Sequence, residues 1–260
     1  MAGSGKLLIE REGDVCVIRF NDPATRNALG MDMAAELRDA LLAAESDCGA
    51  VLLAGSDKAF CSGANLSGPR MGSGEIDAGI VLQDTVNPLM MTIRDLSIPF
   101  ITSVRGAAAG VGASLALVGD LIVAGDDAYF LQAFCRIGLV PDGGSPWLLT
   151  RTAGRARAME MMLLGERLPA AKALDWGMIN RVVPTEEADA TALAIAQQLA
   201  NGPRLALGLI RKAGWYAADN GFGDELALER NLQRQVGKSP DFAEGVAAFL
   251  QKRPARFNQR

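Results

Sequence analysis

The 260-residue chain contains no histidine. Histidine is the side chain whose ordinary titration lies nearest neutral pH. Its absence excludes Ser-His and Cys-His nucleophile pairs and any zinc site that needs imidazole. If this protein moves protons, a carboxylate is the expected carrier. Paired cysteines are missing too. Cys16, Cys48, Cys61 and Cys135 are widely spaced, with no CxxC pair and no metal-ligand spacing. Isolated thiols point to a reducing compartment, so a cytoplasmic location is expected, with no metal. Basic charge is not in excess either. Lys plus Arg number 26 against 30 Asp plus Glu, a net charge of −4, which argues against a nucleic-acid partner. No apolar signal region follows the first six residues. The longest uncharged apolar stretch, residues 106–119, falls short of the roughly 20 residues a bilayer crossing needs, so no membrane association is expected.

Apolar residues, in contrast, are plentiful. A hydrophobic content of 49% over this length fits one large domain, or one domain with a helical appendage. The first half carries short β-like runs at 7–10, 15–20, 50–54, 99–104, 121–124 and 128–131, the first two joined by a hairpin signal at Glu12-Gly13-Asp14. Helical spacing appears at 31–44, 77–94 and 112–118, with Met33, Leu37, Ala40 and Leu41 on one face of the first. Alternating strands and helices predict an α/β architecture with parallel pairing. After Gly144 almost everything reads helical: 147–152, 155–164, 170–176, 186–201, 204–220, 224–236 and 240–251, with only 180–183 extended. Residues 1–195 are expected to form the α/β core and 196–260 a helical oligomerisation region, without a linker between independently folding units.

Three loops carry the candidate chemistry. Asp142 lies in Gly138-Leu139-Val140-Pro141-Asp142-Gly143-Gly144, between apolar runs, where desolvation would raise its pKa. Pro-Asp-Gly is also a turn signature in its own right. The second loop is Ala59-Phe60-Cys61-Ser62-Gly63-Ala64-Asn65-Leu66, and the third runs from Gly106 through Gly110-Val111-Gly112 to Ser114. Each follows a strand and leads toward a helix. Small residues let a backbone approach a ligand closely, and a helix N-terminus presents free N–H groups. Two such N–H groups aimed at one oxygen would form an oxyanion hole. Close helix–strand packing explains the same glycines equally well. Neither the dinucleotide fingerprint nor the phosphate-loop pattern is present.

The combination resembles the crotonase, or enoyl-CoA hydratase/isomerase, superfamily. The matching stretches are Asn21-Asp22-Pro23 with Arg26-Asn27-Ala28-Leu29, then Phe60-Cys61-Ser62-Gly63-Ala64-Asn65-Leu66, Gly106 to Ala116, and Ile137 to Gly144. Residues 170–183 and 241–253 continue the likeness in the right order. The resemblance implies a spiral of repeated ββα units with a helical C-terminal trimerisation region, assembled as a homotrimer or dimer of trimers. It implies an acyl-CoA thioester substrate and no separate cofactor, coenzyme A arriving as part of the substrate. By position, the backbone N–H groups of Ala64 and Val111 would be the oxyanion donors. Arg26, Ser62, Ala64, Asn65 and Leu66 fall where the family lines coenzyme A, as do Phe249 and Lys252 near the end.

The sequence also departs from the pattern. Where the family's hydratases carry two glutamates, this chain has Ser114 and Phe134. Water addition needs one group to activate water and another to deliver a proton to carbon, and neither residue does this well. Asp142 remains, and its setting resembles the branch of 1,2-epoxyphenylacetyl-CoA isomerases and Δ3,Δ2-enoyl-CoA isomerases. An acyl-CoA isomerase with Asp142 as acid/base is therefore expected, with Phe134, Leu139, Val140 and Trp147 around the acyl group. The alternatives are a hydratase-type lyase and an acyl-CoA-binding homologue that has lost catalysis.

Overall fold

A computed structural model describes residues 5–56, 58–67 and 77–258. The opening residues 1–4, part of the segment read above for a signal region, lie outside it. The chain starts with a hairpin, β1 (Leu7–Glu12) and β2 (Val15–Phe20), in register from Leu7 opposite Phe20 to Glu12 opposite Val15. Helix α1 (Met31–Asp47) buries Met33, Leu37 and Leu41, the face its spacing predicts, together with Ala34 and Ala44. Next come β3 (Ala50–Ala54) and β4 (Ala59–Cys61). A helical run follows, made of α2 (Ala78–Val81), a π turn at Leu82–Val86 and α3 (Asn87–Asp95). Then follow β5 (Phe100–Val104), β6 (Ala107–Ala109) and α4 (Val111–Leu117). Strands β7 (Leu121–Gly125) and β8 (Tyr129–Leu131) lead through a 3-10 turn at Ala133–Ile137 to α5 (Ser145–Thr152) and α6 (Arg155–Leu164). Beyond them lie β9 (Arg167–Pro169), α7 (Ala170–Asp175), β10 (Arg181–Val183) and α8 (Ala188–Ala200). The chain closes with α9 (Arg204–Ala217), α10 (Phe222–Val236) and α11 (Pro240–Leu250).

The strands sort into two sheets, one of six in the order β1-β2-β3-β5-β7-β10 and one of four in the order β4-β6-β8-β9. From β2 onward the larger sheet is parallel. Each of β3, β5 and β7 passes within a few residues into β4, β6 and β8, so the chain steps from one sheet to the other and returns through helical turns. This is the ββα repetition expected above. Alternation along the long strands divides the core. Ile18, Val51, Leu53 and Phe100 face one hydrophobic cluster with α1, α3 and α4. Val17, Ala50, Leu52 and Ile101 face a second, closed by Ala192, Ile195, Ala196 and Ala200 of α8. With both faces covered, β3 reads as an unbroken apolar run, and β5 buries Thr102 and Ser103 beside its apolar residues.

Two expectations about secondary structure are corrected. Beyond residue 147, 180–183 is not the only extended stretch, because Arg167–Pro169 pairs antiparallel with β8. Strands β4 and β6 occupy stretches read as loop. Three residues are too few for an alternation to show, and β6 is three alanines. The expected division between residues 195 and 196 falls inside α8, whose Ala196 and Ala200 cover the sheet. No described helix is long and apolar enough to cross a membrane.

Candidate active site

The site forms where two strand-to-loop crossings run side by side. Strands β4 and β6 are parallel neighbours, Ala59 opposite Ala107 and Cys61 opposite Ala108. The loops that leave them therefore start together. A methyl group placed on Gly110 would stand 3.7 Å from Gly63 Cα, and one on Gly63 would stand 3.1 Å from the Ala109 carbonyl oxygen. Leu29 donates to the Gly63 carbonyl at 2.8 Å and accepts from the Asn65 N–H at 3.0 Å. That parallel bridge uses the residues on either side of Ala64 and leaves the Ala64 N–H directed away from Leu29. Val111 opens α4, so its N–H has no carbonyl partner within the helix and lies at the positive end of the helix dipole.

Asp142 lies on a turn that packs against α4. The turn needs Gly143, whose φ is +59°. A side chain there would also collide with Ser114 Cβ at 2.9 Å and crowd Val111 Cγ2 at 3.2 Å. Asp142 is thereby set against the helix that begins with Val111. Its Oδ1 is buried without a hydrogen-bond partner among the described residues. Burial pushes the carboxyl up to about 6, with no neighbouring charge contributing. A carboxylate so placed is half in its basic form near pH 6, within the range useful for proton transfer. Phe134 is buried against the same loop, its ring edge 3.7 Å from where a Gly110 methyl would sit.

Ala64, Val111, Asp142 and Phe134 are thus brought together. Arg26, Ser62, Asn65 and Leu66 border the first loop. The Ser62 N–H donates to the Arg26 carbonyl at 3.1 Å, and the Ser62 hydroxyl donates to the Thr25 carbonyl at 2.9 Å. Arg26 is exposed and left-handed, with φ +57°. Asn65 Oδ1 accepts from Ser67 N at 3.0 Å, and Leu66 is exposed. Of the other expected residues, Leu139 and Val140 share the Asp142 turn, and the Leu139 N–H donates to the Phe134 carbonyl at 3.0 Å. Leu139 is exposed and Val140 is 82% exposed. Trp147, on α5, turns to α9 instead. It stacks on Trp215 at 5.2 Å and donates from Nε1 to Asp219 at 3.0 Å. Phe249 is 83% exposed at the end of α11, and Lys252 follows it with φ +53°. The hydrogen bonds that anchor this tail run among Glu244, Arg253, Asn258 and Gly202, not to the loops around Asp142. A crevice of about 1440 Å³ between the end of α3 and α9 contains none of the expected site residues.

Sequence reasoning missed two organising side chains. Asn27 is fully buried and left-handed, with φ +59°. Its amide donates to the Ala59 and Phe60 carbonyls at 2.8 and 3.2 Å, and its Oδ1 accepts from Asp22 N–H at 2.9 Å. This clamps the 22–29 loop to β4. Its only signal was its presence in the Arg26-Asn27-Ala28-Leu29 stretch. Ser145, buried at the start of α5, had no signal at all.

Known proteins are similar to this chain in sequence and in fold. The family model described as enoyl-CoA hydratase/isomerase matches residues 10–260. A protein of Rhodobacter capsulatus named a probable enoyl-CoA hydratase is 42% identical, over 95% of each chain. The 1,2-epoxyphenylacetyl-CoA isomerase of Escherichia coli is 41% identical, over 96% of this chain and 97% of its own. Among solved structures, an enoyl-CoA hydratase from a Polaromonas species superposes with a TM-score of 0.91 at 34% identity, covering 97% of this chain and 99% of that one. With the family model matched over residues 10–260 and relatives above 40% identity along nearly the whole chain, the chain belongs to the enoyl-CoA hydratase/isomerase family.

Proposed function

We propose that the protein is an acyl-CoA isomerase in which Asp142 carries the proton. The observation that carries this reading is the half-buried carboxyl of Asp142, on a turn packed against α4; by the family resemblance, Ser114 and Phe134 stand where hydratases carry their two glutamates. The Asp142 carboxylate takes a proton from the carbon beside the thioester. The C–H electron pair moves into the C–C bond, and the carbonyl oxygen gains negative charge. The N–H groups of Ala64 and Val111 hold that charge. Protonated Asp142 returns the proton farther along the acyl chain, the double bond shifts, and the enzyme ends as it began. Arg26, Ser62, Asn65 and Leu66 would border the coenzyme A portion, and Phe134 the acyl group. Phe249 and Lys252 would reach coenzyme A from a second copy. Association through the C-terminal helices, as a trimer or dimer of trimers, draws support from exposed Phe222, Leu226, Phe242, Val246 and Leu250.

The 41% identity to a protein named as an epoxyphenylacetyl-CoA isomerase favours this reading. The 42% identity to a protein named as a probable hydratase keeps hydration as the second. Turnover of a 3-enoyl-CoA, an epoxyphenylacetyl-CoA and crotonyl-CoA, with deuterium exchange from solvent, separates them. Asp142→Asn is expected to lower isomerisation and exchange by about 10²- to 10⁴-fold while binding of the thioester persists. Full activity in that variant would overturn the role of Asp142. Crotonyl-CoA hydration as fast as isomerisation would favour the lyase, and binding without exchange would leave only a binding protein.

A further inference from the structure

Ser114 and Ser145 are both fully buried, and the mechanism above gives neither a task. Buried hydroxyls are held by partners, and here the partners form a chain. The two Oγ atoms are 2.6 Å apart, and Ser114 Oγ donates to the Asp142 carbonyl at 3.0 Å. A serine hydroxyl has one hydrogen. Ser114 spends its own on that carbonyl, so the hydrogen in the 2.6 Å contact comes from Ser145. The order is therefore Ser145 hydroxyl to Ser114 oxygen, then Ser114 hydroxyl to Asp142 carbonyl. The Ser145 backbone N–H closes on the same carbonyl at 3.1 Å.

The three residues lie on three different pieces of the site. Ser114 sits one turn along α4 from Val111, Asp142 sits on its turn, and Ser145 opens α5. The fit is close enough that Gly143 has no room for a methyl group beside Ser114. From this geometry we infer that Ser114 and Ser145 are positioning residues for Asp142, their hydroxyl chain fixing the carboxylate turn at a set distance from the N-terminus of α4. The inference rests on the reading of Asp142 as acid/base. It gives Ser114 a purpose of its own. Where a hydratase would carry an acid, this chain carries the tether of its base. Misplacing a reacting group by about 1 Å can cost about 100-fold in rate, so such a tether acts on turnover more than on binding.

Ser114→Ala, Ser145→Ala and the double variant test this beside Asp142→Asn. Each variant removes one buried oxygen and nothing else, and alanine suits a helix. Turnover of a 3-enoyl-CoA is measured with each, together with titration of the Asp142 carboxyl by NMR on protein carrying carboxyl-labelled aspartate. Ser114→Ala is expected to lower kcat about 10- to 100-fold with KM little changed. The double variant should be no worse than Ser114→Ala, because both hydroxyls belong to one chain. The Asp142 midpoint should move down from about 6 as the loosened turn admits water. Should Ser114→Ala fold poorly, Ser145→Ala still breaks the chain while keeping the Ser114 bond, and the same readouts apply. Unchanged kcat and unchanged midpoint in folded variants would reduce the serines to core filling and overturn the inference. If Asp142→Asn is inactive in that case, the acid/base reading survives alone. Full turnover by Asp142→Asn would remove the reading and the inference together.

Discussion

Asp142 lies in a setting that resists its charge. An ordinary aspartate loses its proton near 3.9, whereas burial holds this one up to about 6. The folded protein therefore binds that proton more tightly than the unfolded chain does. Between about pH 4 and pH 6, stability from this group falls as pH rises, and above pH 6 its full cost is present. Asp142→Asn removes the charge. Thermal unfolding at pH 8 should show the variant melting a few degrees higher than the wild type, and at pH 4 the gain should vanish. An equal or lower melting temperature at pH 8 would mean that the carboxylate is better solvated than its burial indicates. Asp142 was legible in the sequence because a histidine-free chain leaves proton transfer to carboxylates, and because this one stood in a turn between apolar runs. Ser145 was not legible. Its partner Ser114 is 31 residues away, and a hydroxyl pair at that separation has no local signature. The same holds for Asn27, whose carbonyl partners lie 32 and 33 residues on.

At the scale of elements, helix α4 has all seven of its residues buried and leans directly on β4. A methyl group at Gly112 would stand 2.4 Å from the Cys61 carbonyl oxygen and 2.8 Å from its sulfur. Gly112→Ala must push α4 away from β4, and the Val111 N–H moves with it. Overpacking of this kind costs about 1–3 kcal/mol. A lower urea midpoint with an unchanged slope is expected, accompanied by loss of turnover. A variant of wild-type stability would show that the two elements can separate freely. Strands of five or six mostly apolar residues, such as β2, β3 and β5, announced themselves because the sheet is covered on both faces. The short strands β4, β6 and β9 did not. Their identity comes from pairing within the four-stranded sheet, a property of the folded chain that no three-residue stretch encodes. The loops at the ends of β4 and β6 were recognisable by their glycines, but only the parallel pairing of those strands shows that the loops approach each other.

For the molecule as a whole, the C-terminal helices depend on a few ties to the core. Among the described residues of α9, Arg211 is the buried one. Its guanidinium pairs with Asp120 and donates to the Leu96 and Ile93 carbonyls. A second tie joins α5 to α9, where Arg151 and Trp147 both bond to Asp219 and the Arg151 guanidinium lies 4.2 Å above the Trp147 ring. Arg211→Met would leave the Asp120 carboxylate without its cationic partner, with only the Phe100 N–H donating to it, a loss of about 3–5 kcal/mol. Limited proteolysis should then cut faster around residues 201–203, ahead of α9, than in the wild type. Equal cleavage rates would assign the anchoring to the Trp147–Trp215 stack instead. The change from strand-rich to helical character was visible in sequence, but not these ties, which join residues far apart in the chain. The two loops opposite Asp142 carry a different kind of information. Their candidate donors are peptide N–H groups, which every residue but proline possesses. Ordinary substitutions at Ala64 or Val111 would leave those groups chemically present. What a point mutation can rewrite is the side chain at 114, 134 or 142. In such an architecture the stabiliser of negative charge is inherited with the backbone, and new reactions can arise one codon at a time.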